Sequence, residues 1–101
     1  MPAIEQQSLL ERGDTMLSLG DISAARMLYQ RAADSGVGIA ALKLANTYDP
    51  DFLADHHLRG IKGDPAEAAK WYRKAASLGA SQADGRLRIL EKSLLAKARL
   101  N

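Results

Sequence analysis

Apolar and small side chains recur along this chain at the three- and four-residue spacing that is typical of amphipathic helices. The spacing predicts helices over residues 3–19, 22–35, 37–48, 65–78 and 81–99. Glycine, aspartate or proline stands at the breaks, and most breaks are short enough to join neighbouring helices as antiparallel hairpins. The pattern therefore predicts an all-α domain of about five helices, arranged as two antiparallel hairpins and a final helix.

The signals for the start and end of a helix are clearest around residues 65–78. Asp64 can accept hydrogen bonds from the free amides of the first turn, and Pro65 suits the first helical position. Glu67 follows three residues after Asp64, as in a capping box, and Gly79 can adopt the left-handed conformation that ends a helix. Because aromatic side chains dominate small cores, we interpret the apolar face as packing surface rather than a ligand-stacking site. This face consists of Ala68, Trp71, Tyr72, Ala75 and Ala76.

The first predicted helix contains a glycine in its interior, Gly13. A glycine at such a position costs about 1 kcal/mol of helix stability relative to alanine. We therefore expect Gly13 to permit a close approach of a neighbouring helix.

The connection over residues 49–62 is long for a link inside a hairpin. Pro50 should stop the preceding helix, and one short helical turn could place Phe52, Leu53 and Leu58 against neighbouring helices. The same segment contains the most concentrated set of potential metal ligands: Asp49, Asp51, Asp55, His56 and His57. Counted from its first aspartate, the sixth place is alanine and the twelfth glycine, so it does not match a calcium loop. We favour a solvated loop over a metal site.

The chain also repeats itself after a shift of 43 residues. The matching residues occupy turns and apolar helix faces, as a repeated packing unit requires. Gly20, Asp21, Ala25, Tyr29, Ala32, Ala33, Gly36, Ala40 and Leu44 fall on Gly63, Asp64, Ala68, Tyr72, Ala75, Ala76, Gly79, Ala83 and Leu87.

The second copy resembles the Sel1-like repeat family, whose members are related to tetratricopeptide repeats. The pattern is carried by Ala40, Leu44-Ala45, Tyr48, Gly60, Asp64, Ala68, Trp71-Tyr72, Lys74-Ala75-Ala76 and Gly79. The resemblance covers roughly residues 9–90, with repeat units at about 9–36 and 37–79 and a C-terminal capping helix at 81–99. Two features depart from the family pattern: Ala45 replaces a glycine, and the 49–62 connection is several residues longer than usual.

The resemblance implies a right-handed α–α superhelix with a concave surface lined by the first helix of each pair. It also implies a non-enzymatic adaptor that binds a peptide or protein segment in this groove. The groove residues expected on that basis are Leu10, Asp14, Leu17, Leu42, Lys43, Asn46, Arg86, Ile89 and Lys92. Asn46 stands out because its amide can donate and accept hydrogen bonds at once. Self-association, as a homodimer or as part of a larger repeat protein, is the alternative.

Composition and charge add limits to this interpretation. The chain has 101 residues, no cysteine and a net charge of +2. Residues 1–60 hold 5 basic and 8 acidic side chains, and residues 61–101 hold 9 basic and 4 acidic ones. The basic C-terminal end lacks interleaved aromatics for base stacking, so nucleic-acid binding is disfavoured.

The motifs of several other function classes are missing from the sequence. It has no nucleophile–base arrangement, no phosphate-binding loop and no run of about 20 apolar residues that could span a membrane. We therefore expect no catalytic residue, no cofactor and no metal. The first residues lack the pattern of a signal peptide, which favours a cytoplasmic location, although the chain could be a piece of a longer protein.

Overall fold

The structure, a computed structural model, describes residues 1–100 and contains six α-helices and no β-strand within them. The helices follow the predicted order, with one additional short helix in the long connection. Their bounds are α1 (Ala3–Ser18), α2 (Ile22–Asp34), α3 (Gly38–Tyr48), α4 (Pro50–Asp55), α5 (Pro65–Ser77) and α6 (Ala83–Leu100).

The packing follows the chain order. α1 packs on α2, α2 on α3, α3 on α5 and α5 on α6, whereas α4 packs beside α3. The first helix pair is therefore α1 and α2, and the second is α3 and α5, with α4 inside its connection. The resulting stack measures 46 × 30 × 18 Å. The predicted all-α, tetratricopeptide-like solenoid is confirmed.

The ends of α5 follow the predicted chemistry. The Asp64 carboxylate accepts a hydrogen bond from the Glu67 amide at 3.1 Å, and Pro65 occupies the first helical position. Gly79 has φ +91°, a conformation that side-chain-bearing residues rarely adopt. The same capping occurs at α2, where Asp21 accepts from the Ala24 amide at 3.1 Å. Local signals in the sequence thus determine where these helices begin and end.

The reciprocal half of the expected capping box is not formed, so this part of the prediction is wrong. The Asp64 amide donates instead to the carbonyl of Tyr48, at 2.7 Å, which ties the start of α5 to the end of α3. The Glu67 carboxylate accepts from Trp71 Nε1 at 3.2 Å. The Asp64 amide thus bonds to α3 across the hairpin instead of to the Glu67 carboxylate of its own helix.

The core consists mainly of alanines around two aromatic rings from equivalent positions of the repeat. Tyr29 is 0% exposed and Tyr72 is 1% exposed, while Trp71 is 8% exposed, so the interpretation of the aromatic face as core is confirmed. Small side chains let the helix axes approach closely enough for these rings to fill the space between them. The fully buried alanines are Ala25, Ala32, Ala40, Ala41, Ala45, Ala68, Ala75 and Ala83.

Gly13 makes the closest of these approaches. A Cβ atom placed on Gly13 would lie 2.5 Å from Cε1 and 2.7 Å from Cδ1 of Tyr29, well inside contact distance. The expectation that this glycine serves close packing is confirmed. The ring of Tyr29 can reach between α1 and α2 only because α1 has no side chain at this place.

The connection between α3 and α5 forms the expected short helical turn, as α4. Asp49 caps this helix by accepting from the Asp51 amide at 3.0 Å. Leu53 is buried, and Phe52 and Leu58 are half-buried. The apolar residues of the connection therefore pack inwards.

We predict that Gly13→Ala lowers the free energy of unfolding by about 1 kcal/mol. The overlap with the Tyr29 ring costs about 1–3 kcal/mol, and the better helix propensity of alanine offsets about 1 kcal/mol of it. Urea unfolding followed by the fluorescence of Trp71, the only tryptophan in the sequence, measures this change.

Gly85 provides the matched control. It also lies inside a helix, α6, but a Cβ atom there meets nothing within 4 Å. Gly85→Ala should therefore raise the free energy of unfolding by about 0.5–1 kcal/mol. Equal effects at the two glycines would contradict the packing role of Gly13.

Candidate functional site

A polar cluster joins the first three helices. The Tyr29 hydroxyl on α2 donates to Asp14 Oδ1 on α1 at 2.5 Å, and Lys43 Nζ on α3 donates to both oxygens of the same carboxylate at 2.8 and 3.0 Å. Burial acts to raise the pKa of Asp14, but the hydrogen bonds from Lys43 and Tyr29 outweigh it, so this pKa lies below its ordinary value. Burial and the bond to Asp14 raise the pKa of Tyr29. The tyrosine thus stays neutral and the aspartate ionised.

A second cluster of the same kind joins α3, α5 and α6. The Tyr72 hydroxyl donates to Asp49 Oδ2 at 2.8 Å, and the Arg86 guanidinium makes two hydrogen bonds of 2.8 Å to the two oxygens of Asp49. Asp51 adds a further ion pair to Arg86 at 3.2 Å. Burial and Asp49 raise the pKa of Tyr72, and the hydrogen bond to Asp49 raises that of Arg86. Asp49 itself is only 1% exposed.

The two clusters are related by the sequence repeat. A shift of 43 residues places Tyr29 on Tyr72 and Lys43 on Arg86, so both tyrosines and both cations are equivalent. The carboxylates are not equivalent, since Asp14 belongs to α1 whereas Asp49 follows α3. Each cluster joins one helix pair to the first helix of the next unit, and we call them the first and second junction clusters.

Arg26 forms another link between α2 and α3. Its Nη2 donates to the Thr47 carbonyl at 2.6 Å and its Nε to Thr47 Oγ1 at 3.2 Å, while its guanidinium lies 3.8 Å from the ring centroid of Tyr48. A cation at this place also complements the negative end of α3. Sequence reasoning missed Arg26, because the contact spans two elements and has no local pattern.

The predicted groove residues fall into three groups: those in the first junction cluster, those in the second, and those in neither. Asp14 and Lys43 meet in the first junction cluster, and Asn46 and Arg86 meet around Tyr72 in the second. The structure thus brings four of the predicted polar residues together in two places. A shift of 43 residues places Lys43 on Arg86. This equivalence in the sequence indicates that the two cations have the same role in successive units.

The predicted leucines are less accessible than expected. Leu10 is only 9% exposed and belongs to the core, so its expected place on an open groove is wrong. Leu17 and Leu42 are half-buried and pack against the same core. Ile89, 55% exposed, and Lys92 lie on the surface of α6 and take part in neither junction cluster. The longer apolar side chains of α1 and α3 are therefore used mainly for packing.

A pocket of about 380 Å³ opens beside the second junction cluster. Its wall combines hydrogen-bond donors with carboxylates and two aromatic side chains. It is lined by Asn46, Asp49, Asp51, Phe52, Asp55, Tyr72 and Arg86. The expectation of a solvated loop for the acidic part of this segment is wrong for Asp49, because that carboxylate is buried between Tyr72 and Arg86.

Asn46 lies in this pocket with one side of its amide used and the other free. The Tyr72 hydroxyl donates to Asn46 Oδ1 at 2.7 Å, sharing its single proton between this oxygen and Asp49. Within residues 1–100 the amide nitrogen of Asn46 forms no hydrogen bond, and no buried side-chain polar atom there lacks a partner. This nitrogen therefore faces solvent and can donate to a ligand.

Other site types find no counterpart in the part of the chain that the structure describes. No three or more histidine, aspartate or glutamate side chains there are placed to hold a metal ion. None of its helices has the length and apolar character needed to cross a membrane.

We predict that Asp49→Ala lowers the free energy of unfolding by about 3 kcal/mol, because it leaves Arg86 and Tyr72 without their shared buried acceptor. Asp51→Ala is the matched control, since Asp51 also contacts Arg86 but its side chain is 72% exposed. That variant should lose about 0.5 kcal/mol or less. Urea unfolding followed by circular dichroism measures both changes, and similar values for the two would contradict the central role of Asp49.

The first junction cluster predicts a dependence of stability on pH. Because the pKa of Asp14 in the folded protein is lower than its ordinary value of 3.8, ionised Asp14 stabilises the fold above that value. The stabilisation is lost as the pH falls through the lowered pKa. The Asp14 side chain is 48% exposed, so Asp14→Asn should cost only about 1 kcal/mol at neutral pH.

The difference between Asp14→Asn and the unchanged chain should shrink towards zero as the pH falls below 3.8, measured by urea unfolding at a series of pH values. Asp34→Asn is the control, because Asp34 is exposed and forms no ion pair among residues 1–100. A stability difference for Asp14→Asn that stays constant down to the lowest pH would show that its charge plays no part.

Comparison with known proteins identifies the repeat. The model of the Sel1 repeat matches residues 8–37 and 51–79, which together make up more than half of the chain. No curated protein and no solved structure gives a significant match. The second matched range includes α4 and α5 but omits α3, although α3 is the helix that packs against α5.

Sel1 repeats are in general protein–protein interaction modules, and the family is typically non-catalytic. The two matched ranges contain Tyr29 and Tyr72, the tyrosines of the two junction clusters. With repeat spacing, helical architecture and matched ranges in agreement, the chain belongs to the Sel1 repeat family.

Proposed function

We propose that the chain binds an extended peptide or protein segment on the surface formed by α1, α3 and α6, with the pocket at Asn46 as its central contact. The observation that carries this proposal is the free amide nitrogen of Asn46 in a pocket of mixed polarity. With Oδ1 of Asn46 already accepting from Tyr72, the free amide nitrogen can hold a peptide segment by donating to a backbone carbonyl.

The chemistry around Asn46 supports a peptide as the ligand. Asp51 and Asp55 are exposed acceptors at the rim of the pocket. Phe52 is half-buried and stacks on His56 with 3.9 Å between ring centroids, which leaves an apolar surface beside these carboxylates. A segment with a basic or amide-bearing side chain next to an apolar one complements this arrangement.

The junction clusters hold the binding surface in place before a ligand arrives. Lys43 and Arg86 are each tied to a carboxylate by two hydrogen bonds, and Asn46 is oriented by Tyr72. Side chains that are already ordered lose less entropy on binding. A module built in this way can bind short segments without a large contact area.

We predict that Asn46→Ala weakens binding of peptides selected on the unchanged chain by at least about tenfold, the loss expected for a central contact. The substitution should leave the fold intact, because Tyr72 keeps its hydrogen bond to Asp49. Peptide display followed by fluorescence anisotropy measures the effect. Gln30→Ala, at an exposed position of α2, is the control and should leave affinity unchanged.

Two outcomes would count against this function. Selection that enriches no peptide above background would contradict peptide binding by the chain. Enriched peptides that bind the Asn46→Ala and Gln30→Ala variants equally well would contradict the pocket as the central contact.

A further inference from the structure

The C-terminal helix α6 presents an apolar surface that the rest of the described chain does not cover. Of its 18 residues only Ala83 and Leu90 are buried. Ile89 is 55% exposed and Leu95 is 54% exposed, and Leu94 is half-buried. Exposed apolar side chains in this number favour a binding surface over a purely solvated helix.

Part of this surface forms a groove between α5 and α6. The groove has a volume of about 570 Å³. Its residues on α6 recur at three- and four-residue spacing and so form a stripe along the helix. The lining consists of Arg73 from α5 and Arg88, Glu91, Lys92, Leu94, Leu95 and Ala98 from α6. Leucines and alanine thus form the apolar part of the groove, and cations dominate its charged part.

The cations of this groove are available to a partner. Within residues 1–100 the ion pairs involve Lys43, Lys70 and Arg86, and none involves Arg73, Arg88 or Lys92. Lys97 and Arg99 continue the positive charge along the exposed last turn of α6. Glu91 is the only acidic side chain that lines the groove. Such a surface attracts an acidic partner.

We propose that the groove between α5 and α6 binds an amphipathic helix of a partner protein, with its apolar stripe on Leu94 and Leu95 and its acidic flank facing Arg73, Arg88 and Lys92. An apolar groove between two helices, flanked by charged residues, is the kind of surface that accepts an amphipathic helix. The site is separate from the pocket at Asn46, and it stands whether or not that pocket binds peptide.

The composition of the groove disfavours two other ligands, a second copy of this chain and a nucleic acid. A second copy that docked through its own α6 would bring Arg88, Lys92 and Lys97 against the same cations, which is unfavourable. A nucleic acid would find no aromatic side chain in the groove lining for base stacking, and Glu91 would repel its phosphates.

The test uses three labelled helical peptides of about 18 residues, long enough to form stable amphipathic helices. The first has leucines at helical spacing flanked by glutamates, the second has the same leucines flanked by lysines, and the third keeps the glutamates but replaces the leucines by serines. Fluorescence anisotropy with the full chain measures their affinities. The first peptide should bind at least tenfold more tightly than either of the others.

Three variants of the chain locate the site. Leu95→Glu should weaken binding of the first peptide at least tenfold, and since Leu95 is 54% exposed the fold should be retained. The double variant Arg88→Glu/Lys92→Glu should reverse the preference, so that the lysine-flanked peptide binds more tightly. Ile4→Glu is the matched control, because Ile4 is an 80% exposed apolar residue on α1, and it should leave binding unchanged.

Several results would overturn the proposal. They are equal affinities for the three peptides, an unchanged affinity of Leu95→Glu, or an equal loss in Ile4→Glu. A dimer in sedimentation that Leu95→Glu dissociates would assign the surface to a second copy instead. Displacement of the acidic peptide by a single-stranded oligothymidine of similar affinity would assign it to nucleic acid.

Discussion

Successive helix pairs of this protein are held together by a buried tyrosine whose hydroxyl reaches a carboxylate shared with a cation of the next unit. The rings of Tyr29 and Tyr72 fill the space between alanine-rich helices, and their hydroxyl groups must find an acceptor because burial without one is costly. Asp14 and Asp49 supply it, and Lys43 and Arg86 balance the charge. Core packing and surface chemistry are therefore parts of the same contact.

The long connection after α3 changes the second of these contacts. Asp49 is at once the cap of α4, the acceptor for Tyr72 and the partner of Arg86. With α4 beside it, the cluster becomes one wall of a pocket that also contains Asn46 and Phe52. The long connection thus keeps the contact between units and adds a recess. The first junction cluster is more exposed, with 48% of the Asp14 side chain accessible.

The sequence predicts local features of this fold well, and its errors concern contacts between distant residues. Asp64, Pro65 and Gly79 act within one turn, so their roles could be read from the order of residues. The prediction of a capping box is wrong because the Asp64 amide donates to the Tyr48 carbonyl across the hairpin. No local sequence pattern indicates a hydrogen bond between these two residues.

The same limit applies to the candidate site. Family geometry predicts Leu10 on the groove, whereas the packing of α1 on α2 buries its side chain in the core. Asn46, Lys43 and Arg86 could be identified as polar positions on the first helices of the units, but their partners could not. Arg86, for example, pairs with Asp49 at the start of the long connection, and a shift of 43 residues places no acidic residue on Asp49.

The second junction cluster joins α3, α5 and α6 as one energetic unit. A double-mutant cycle of Tyr72→Phe and Arg86→Gln, measured by urea unfolding, tests this coupling, because both side chains bind Asp49 and phenylalanine keeps the buried ring. We expect a coupling free energy of about 1 kcal/mol or more between the two substitutions. Additive effects, with a coupling free energy near zero, would contradict it.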